Sequence, residues 1–326
     1  MIKKCIVFLL LMLILPVVSY PQNIRVLILD KRFPVLPDNE KSLKQIGNIK
    51  GELLLRGINY KGKIEVWKGQ KGLYVINELP LEEYVKSVVY SETTDDWPLE
   101  ALKVQAIVAR TYAVRQIMKN RDKLYHLSSS TLHQLYRGNQ KDRLIEQAVN
   151  ETKGLIVTYK GKPIEALYHS TCGGRTEYAE EVFSKKEPYL RSVKNDCSIS
   201  PYWRWRKRIG KREIERALKI ENLKDLKIVS HTKSGRVKEL KIITESRTLE
   251  ITAKDLRRIL GWKHLPSTWF KISKEGNSFV FDGRGYGHGV GLCQWGALEM
   301  ALKGYDFKYI LGYYYPGTKI ERYHED

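Results

Sequence analysis

From Gly283 to Gly291 every second residue is a glycine, within GRGYGHGVGLCQWGA. In an extended conformation one side of such a run carries no side chain, so another backbone or a flat ligand can lie directly against it. The opposite side presents Arg284, Tyr286, His288 and Val290, and Gln294 follows closely. The spacing is no dinucleotide fingerprint, because the glycines recur at two throughout and no strand, tight turn and helix surround them. Two readings stay open, a purely structural glycine run and a binding groove. The polar and aromatic residues between the glycines favour the groove.

A change of period constrains the other end of the chain. From Asn23 to Glu78, short β-type runs (IRVLIL, GELLLRG, YKGKIEVW, GLYVIN) are separated by turn residues, which predicts a small antiparallel β unit over about 20–78. Leu79-Pro80 then opens a helical pattern, with Leu81, Tyr84, Val85, Val88 and Val89 recurring at three and four residues. Glu92 continues that apolar stripe, so its carboxylate points where the core or a cleft wall should be. Burial disfavours the ionised form, and a carboxyl kept protonated near neutral pH can serve as a general acid. The alternative is a helix-end glutamate paired with Arg110 or Arg115.

A second helix is predicted from Trp97-Pro98 to about Asn120, with Asp95 and Asp96 ahead of it and a stripe of small residues that lets another backbone pack close. A third runs near Asp142 to Thr152. GLIVTYKGKPIEALYHSTCGG reads as a hairpin turning at Lys160-Gly161-Lys162, its second strand ending on the glycine pair. Charged helices and strand-like runs alternate over about 211–274, which we read as a peripheral insertion. The whole is an α+β chain: one large mixed domain over 79–326 preceded by the small β unit.

MIKKCIVFLLLMLILPVVSYPQ has the layout of a secretory signal peptide over residues 1–19, with an uncleaved N-terminal anchor as the alternative. Either way the body is expected outside the cytoplasm, in the periplasm or on the wall side of the membrane. The formal net charge of +20 then favours a polyanionic partner, wall polymers and anionic lipid heads before nucleic acid.

Cys5 belongs to the export segment, which leaves Cys172, Cys197 and Cys293 in a compartment that can be oxidising. Cys172 and Cys197 are the candidate disulfide, because Cys293 sits inside the glycine-dense motif; two unpaired buried thiols are the alternative. A thiol hydrolase would need Cys293 beside His288, or Cys172 free and reactive. For a metal, His126, His133 and His169 with Cys172 could supply ligands, but no tight spacing supports them.

With those residues laid out, the chain resembles the stage II sporulation protein D and amidase enhancer (SpoIID/LytB) family. The matching pieces, in the family's order, are LPLEEYVKSVVYSE, WPLEALKVQAIVARTYAV, HQLYRG, YHSTCGGRTE, PYLRSV, LPSTWF, GRGYGHGVGLCQWGALEMALKGYDF and ILGYYYPGT. The resemblance implies work on peptidoglycan glycan strands, either as a lytic transglycosylase that forms anhydro-muramic acid ends or as an enhancer of a partner cell-wall amidase. Glu92 matches the family's catalytic glutamate. A groove is expected from Glu92, Gln134, His169, Arg284, Tyr286, His288 and Gln294, with Gln105, Arg110 and Tyr112 holding sugar hydroxyls or N-acetyl groups, or else packing and salt bridging. Some members bind zinc through Cys and His just ahead of the position of Gln134. This chain reads HLSSSTLHQ there, with His126 and His133 but no cysteine, so no cofactor is expected, zinc held in part by those two histidines being the alternative.

Overall fold

The computed structural model describes residues 23–28, 43–69, 72–94, 96–130, 133–138 and 140–323. Residues 1–19, read from the sequence as an export signal and holding Cys5, lie outside the described residues, as does Asp95. The α+β class holds: among the described residues eight helices are interleaved with five sheets. None of those helices is long and apolar enough to cross a membrane.

Strands β1 (Asn23–Ile28), β2 (Lys44–Leu55), β3 (Ile58–Gly69) and β4 (Gly72–Pro80) pair antiparallel in the order β2-β3-β4-β1. Arg56 and Gly57, at φ 55° and 77°, form the two-residue turn between β2 and β3. Helices α1 (Leu81–Glu92) and α2 (Leu99–Lys119) follow, each entered through a proline, Pro80 and Pro98. The chain then returns to the sheet as β5 (Leu127–Ser128), which pairs in parallel with β1. The sheet is therefore not wholly antiparallel, since its fifth strand arrives from beyond α2. Ile24, Val26 and Ile64 of the sheet, Val85 and Val88 of α1, and Ala106, Ala109 and Ala113 of α2 share one core. That shared burial fixes where the last turn of α1 ends.

Helix α3 (Arg143–Glu151) is capped by Asp142, whose carboxylate accepts the Ile145 amide at 2.8 Å. Strands β6 (Leu155–Tyr159) and β7 (Lys162–Pro163) form the hairpin through Lys160 and Gly161, at φ 51° and 73°. Its second strand stops at Pro163, which has no N–H to donate, and does not run on to Gly173-Gly174 as the sequence predicted. After the short β8 (Tyr168–His169) and α4 (Ala179–Phe183) come β9 (Trp205–Gly210), α5 (Lys211–Leu218), β10 (Leu223–His231), β11 (Val237–Thr244), β12 (Thr248–Thr252), α6 (Ala253–Leu260), β13 (Phe270–Glu275) and β14 (Ser278–Gly283). The strands β9 to β14 make two three-stranded sheets over a separate core that includes Ile214, Leu240, Leu256 and Phe281. The glycine-rich segment then leads to β15 (Leu292–Cys293), α7 (Gln294–Leu302), α8 (Phe307–Tyr314) and β16 (Lys319–Arg322). β15 pairs in parallel with β8, so Leu292 lies beside Tyr168 and Cys293 beside His169.

Candidate active site

Glu92 is the last residue of α1, where the helix dipole and the lack of free amides disfavour a negative charge. Its Oε1 accepts the Leu135 amide at 3.0 Å and the Tyr168 hydroxyl at 3.2 Å. Burial raises its pKa above the ordinary carboxyl value of 4.5, and these two donors, together with Gln294 and the more distant Arg137 cation, oppose the rise without cancelling it. The residue is only half-buried, so a ligand can approach it. A carboxyl held by neutral donors and reluctant to ionise is suited to giving up a proton and taking one back.

Around it, side chains from distant segments converge. Gln294, at the start of α7, donates through Nε2 to the Glu92 carbonyl and to Gln105 Oε1, both at 3.4 Å. The Nε2 of Gln105 is itself buried with no hydrogen-bond partner, an unsatisfied donor beside Gln294. Gln134 accepts from Tyr84 at 3.0 Å and meets Tyr168, linking the phenol that touches Glu92 to the core. The structure thus brings together Glu92, Gln105, Gln134 and Gln294 of the expected residues.

Others are placed elsewhere. Arg110 is fully buried and grips Glu82 with two nitrogens, Nε to Oε1 at 3.0 Å and Nη2 to Oε2 at 2.7 Å, while Nη1 donates to the Leu155 carbonyl at 3.1 Å. It is a structural clamp and not a sugar ligand, and because it serves Glu82 it is unavailable to Glu92. Tyr112 is buried in the core with its ring 6.3 Å from that of His133. His169 points to the other side of β8 from Tyr168, as alternation in a strand requires. It donates through Nδ1 to the Val290 carbonyl at 3.1 Å and packs 5.5 Å from His288. Burial drives His169 well below the ordinary histidine value and His288 to about 4, so both are neutral at physiological pH. Tyr168, Leu135 and Arg137 are the site members that sequence reasoning missed. The signal for Tyr168 was present, because in YHSTCGG only one of two adjacent strand residues can face Glu92.

The glycine-rich segment is not the bare wall of a groove. Gly285, Gly287, Gly289 and Gly291 all have positive φ, and the segment lies against the chain from Leu167 to Glu177. A Cβ on Gly291 would collide with the Leu167 carbonyl, and one on Gly287 would come within 2.8 Å of the His169 Cβ. The close approach predicted from the spacing is made, but by the protein's own backbone. Between the glycines, Arg284 stacks 3.6 Å over Trp269 and Tyr286 lies 4.5 Å from Tyr202. A surface cleft of about 500 Å³, lined by Trp203, Tyr305, Tyr309 and Tyr313 among others, lies apart from Glu92.

The histidines weighed as alternative zinc ligands have partners of their own. His126 Nδ1 accepts the Arg25 amide at 3.1 Å and its pKa falls to about 4 through burial and the Arg25 charge, while His133 Nδ1 is engaged by Ser128 at 2.8 Å. Among the described residues the three metal-competent side chains that close within 4.8 Å of one another are Cys172, Cys197 and Cys293, not these histidines. Of the two readings of Cys172 and Cys197, the structure has the unpaired buried thiols, with sulfurs 3.3 Å apart, and Cys293 shares their site. Full burial of Cys293 also removes the reactive, exposed thiol that a hydrolase would need.

The family described as stage II sporulation protein matches residues 69–159, which hold α1, α2 and Glu92, and a domain of unknown function matches 184–291. The chain is 35% identical to stage II sporulation protein D of Bacillus subtilis over 265 residues, covering 75% of each chain. It is 38% identical to an uncharacterized protein of Brachyspira hyodysenteriae over 276 residues, 82% of this chain and 74% of that one. An amidase enhancer of Bacillus subtilis is 27% identical over 292 residues, 73% of this chain and 40% of the relative. The chain belongs to the SpoIID/LytB family, and its role is related to the cell wall.

Proposed function

We propose that the protein is exported and cuts peptidoglycan glycan strands as a lytic transglycosylase, with Glu92 acting first as acid and then as base. The observation that carries this reading is a single half-buried carboxyl, its pKa raised by burial, that is contacted by an amide, a phenol and Gln294. Protonated Glu92 gives its proton to the glycosidic oxygen as the bond from muramic acid C1 breaks. The carboxylate then takes the proton of the same sugar's C6 hydroxyl as that oxygen bonds to C1, closing an anhydro ring. No second carboxylate is required, unlike hydrolysis by paired carboxylates. The intramolecular hydroxyl is favoured over water by its high effective concentration. Gln105 and Gln294 are suited to hold sugar hydroxyls or N-acetyl groups beside it, and the charge of +20 suits an anionic wall.

The test is mass spectrometry of purified glycan strands, intact and stripped of peptides, after incubation with the protein. Ends lighter by one water than reducing ends support the reading; reducing ends overturn it. A second reading, enhancement of a partner amidase, draws on the relative named amidase enhancer. It is indicated by strand binding without product, together with faster stem-peptide release when an amidase is added.

A further inference from the structure

The three cysteines form a site of their own. Cys172 follows β8, Cys197 lies in the loop before β9 and Cys293 ends β15, yet all three are completely buried and their sulfurs lie within 4.8 Å of one another. Backbone amides are aimed at the sulfurs: Cys172 N–H and Gly296 N–H donate to Cys293 Sγ at 3.1 and 3.3 Å, and Gly174 N–H to Cys172 Sγ at 3.4 Å. Amide donors favour thiolate over thiol, and Cys293 also caps the positive end of α7. The other side chains fit the same reading. The Tyr314 hydroxyl is buried with no hydrogen-bond partner, and it converges with Asn195 Oδ1 on Gly296, where any Cβ would collide with both oxygens. Asn195 Oδ1 is 3.9 Å from Cys172 Sγ, so two oxygens adjoin the sulfurs where a fourth ligand or a bound water would sit.

We propose that Cys172, Cys197 and Cys293 bind a soft divalent metal ion of the zinc class, with a water or an oxygen from Asn195 or Tyr314 completing a closed structural site. Zinc–sulfur bonds of about 2.3 Å in a tetrahedron set sulfurs roughly 3.8 Å apart. The Cys172 and Cys197 sulfurs, at 3.3 Å, need to open by only about half an ångström for this. A disulfide would need them to close to about 2.05 Å and would strand Cys293 with its two amide donors. Three thiolates and a divalent ion leave one negative charge, and a buried cation stands by: Arg236 donates to the Cys172 carbonyl at 2.8 Å and reaches Glu177 through the Ser234 hydroxyl. The ion would fasten the glycine-rich segment to the chain after β8. Gln294 adjoins Cys293 in sequence and Tyr168 lies just ahead of Cys172, so the metal holds in place two residues that meet Glu92. The metal claim stands whatever chemistry Glu92 performs.

The experiment is metal analysis of the full chain produced with zinc available, combined with titration by a mercurial in the presence of a chromophoric zinc chelator. We expect one ion per chain, released as the thiols react, and a thiolate charge-transfer band when cobalt replaces it. Cys197→Ser should lose the ion, whereas His126→Ala should keep it. If Cys197→Ser fails to fold by circular dichroism, release from the unmodified chain decides alone. Four titratable thiols without metal, Cys5 among them, overturn the proposal. So does a mass lowered by two hydrogens with two remaining thiols, which is a disulfide, or loss of metal from the His126 variant only.

Discussion

The two ends of helix α1 each hold a glutamate in a buried setting, and they are treated in opposite ways. Glu82, in the first turn, sits where the helix dipole favours a negative charge, and it accepts from the Arg110 guanidinium and, at 3.3 Å, from the Gly154 amide. Its partner is a full cation, fully buried and held in a two-pronged grip. Glu92, at the last turn, has the dipole against it and receives an amide and a phenol where Glu82 receives a guanidinium. Both carboxyls are partly buried, and what sets them apart is the partner: a guanidinium at one end, an amide and a phenol at the other.

The sharpest way to break this comparison is to neutralise each glutamate in turn. Glu92→Gln should keep its contacts, since an amide oxygen can accept from Leu135 and Tyr168, yet lose activity by about 10²–10⁴-fold, the usual worth of general acid-base catalysis. Strand cleavage measured by release of anhydro ends checks this, and full activity would remove Glu92 from the mechanism. Glu82→Ala should do the reverse. It leaves Arg110 buried and uncompensated, so denaturant unfolding should show a loss on the order of 3 kcal/mol. Activity per folded molecule at low temperature should be nearly unchanged, and a stable but inactive Glu82→Ala would show that the two ends are not distinct.

A smaller effect sharpens the account of the chemical end. Tyr168→Phe removes a donor that lowers the pKa of Glu92, so the alkaline limb of the activity profile should move to higher pH. The rate should fall roughly tenfold, as one hydrogen bond worth about 1.5 kcal/mol implies. An unmoved profile would mean the phenol does not act on the carboxyl.

The smallest effect is on stability against pH. Because Glu92 ionises less readily folded than unfolded, the wild type loses stability as pH rises from the ordinary value of 4.5 through the raised folded value, and the contribution is flat below that window. Glu92→Gln does not titrate, so its melting temperature should gain on the wild type across the window and run parallel below it. A constant difference at every pH would show that Glu92 ionises as easily in the fold as outside it.

Much of the site's framework was legible in the residues themselves. The helical period carried Leu81, Val85 and Val88 onto one face and put Glu92 at its end, and Pro80 and Pro98 marked where α1 and α2 begin. The alternation of glycines announced a close backbone contact. These are local signals, set by the rise and twist of one segment. What they could not say is what lies opposite. Tyr168 reaches Glu92 across 76 positions of sequence and Gln294 across 202, and neither separation leaves a trace in the period of either segment.

By itself, the sequence determined the α+β class, the family and the face of α1 on which Glu92 lies, because each depends on short-range pattern or on ordered motifs. Only the tertiary structure decided which cation each glutamate meets, since Arg110 could have served either end of α1 until packing placed it beside Glu82. It also decided that the glycines receive the backbone after Leu167 and not a ligand, and that three cysteines from three segments share one buried pocket. The physical reason is common to all of these: a residue's own segment fixes the direction of its side chain, while the charge, the hydrogen-bond donors and the water it meets there are supplied by chain folded in from far away.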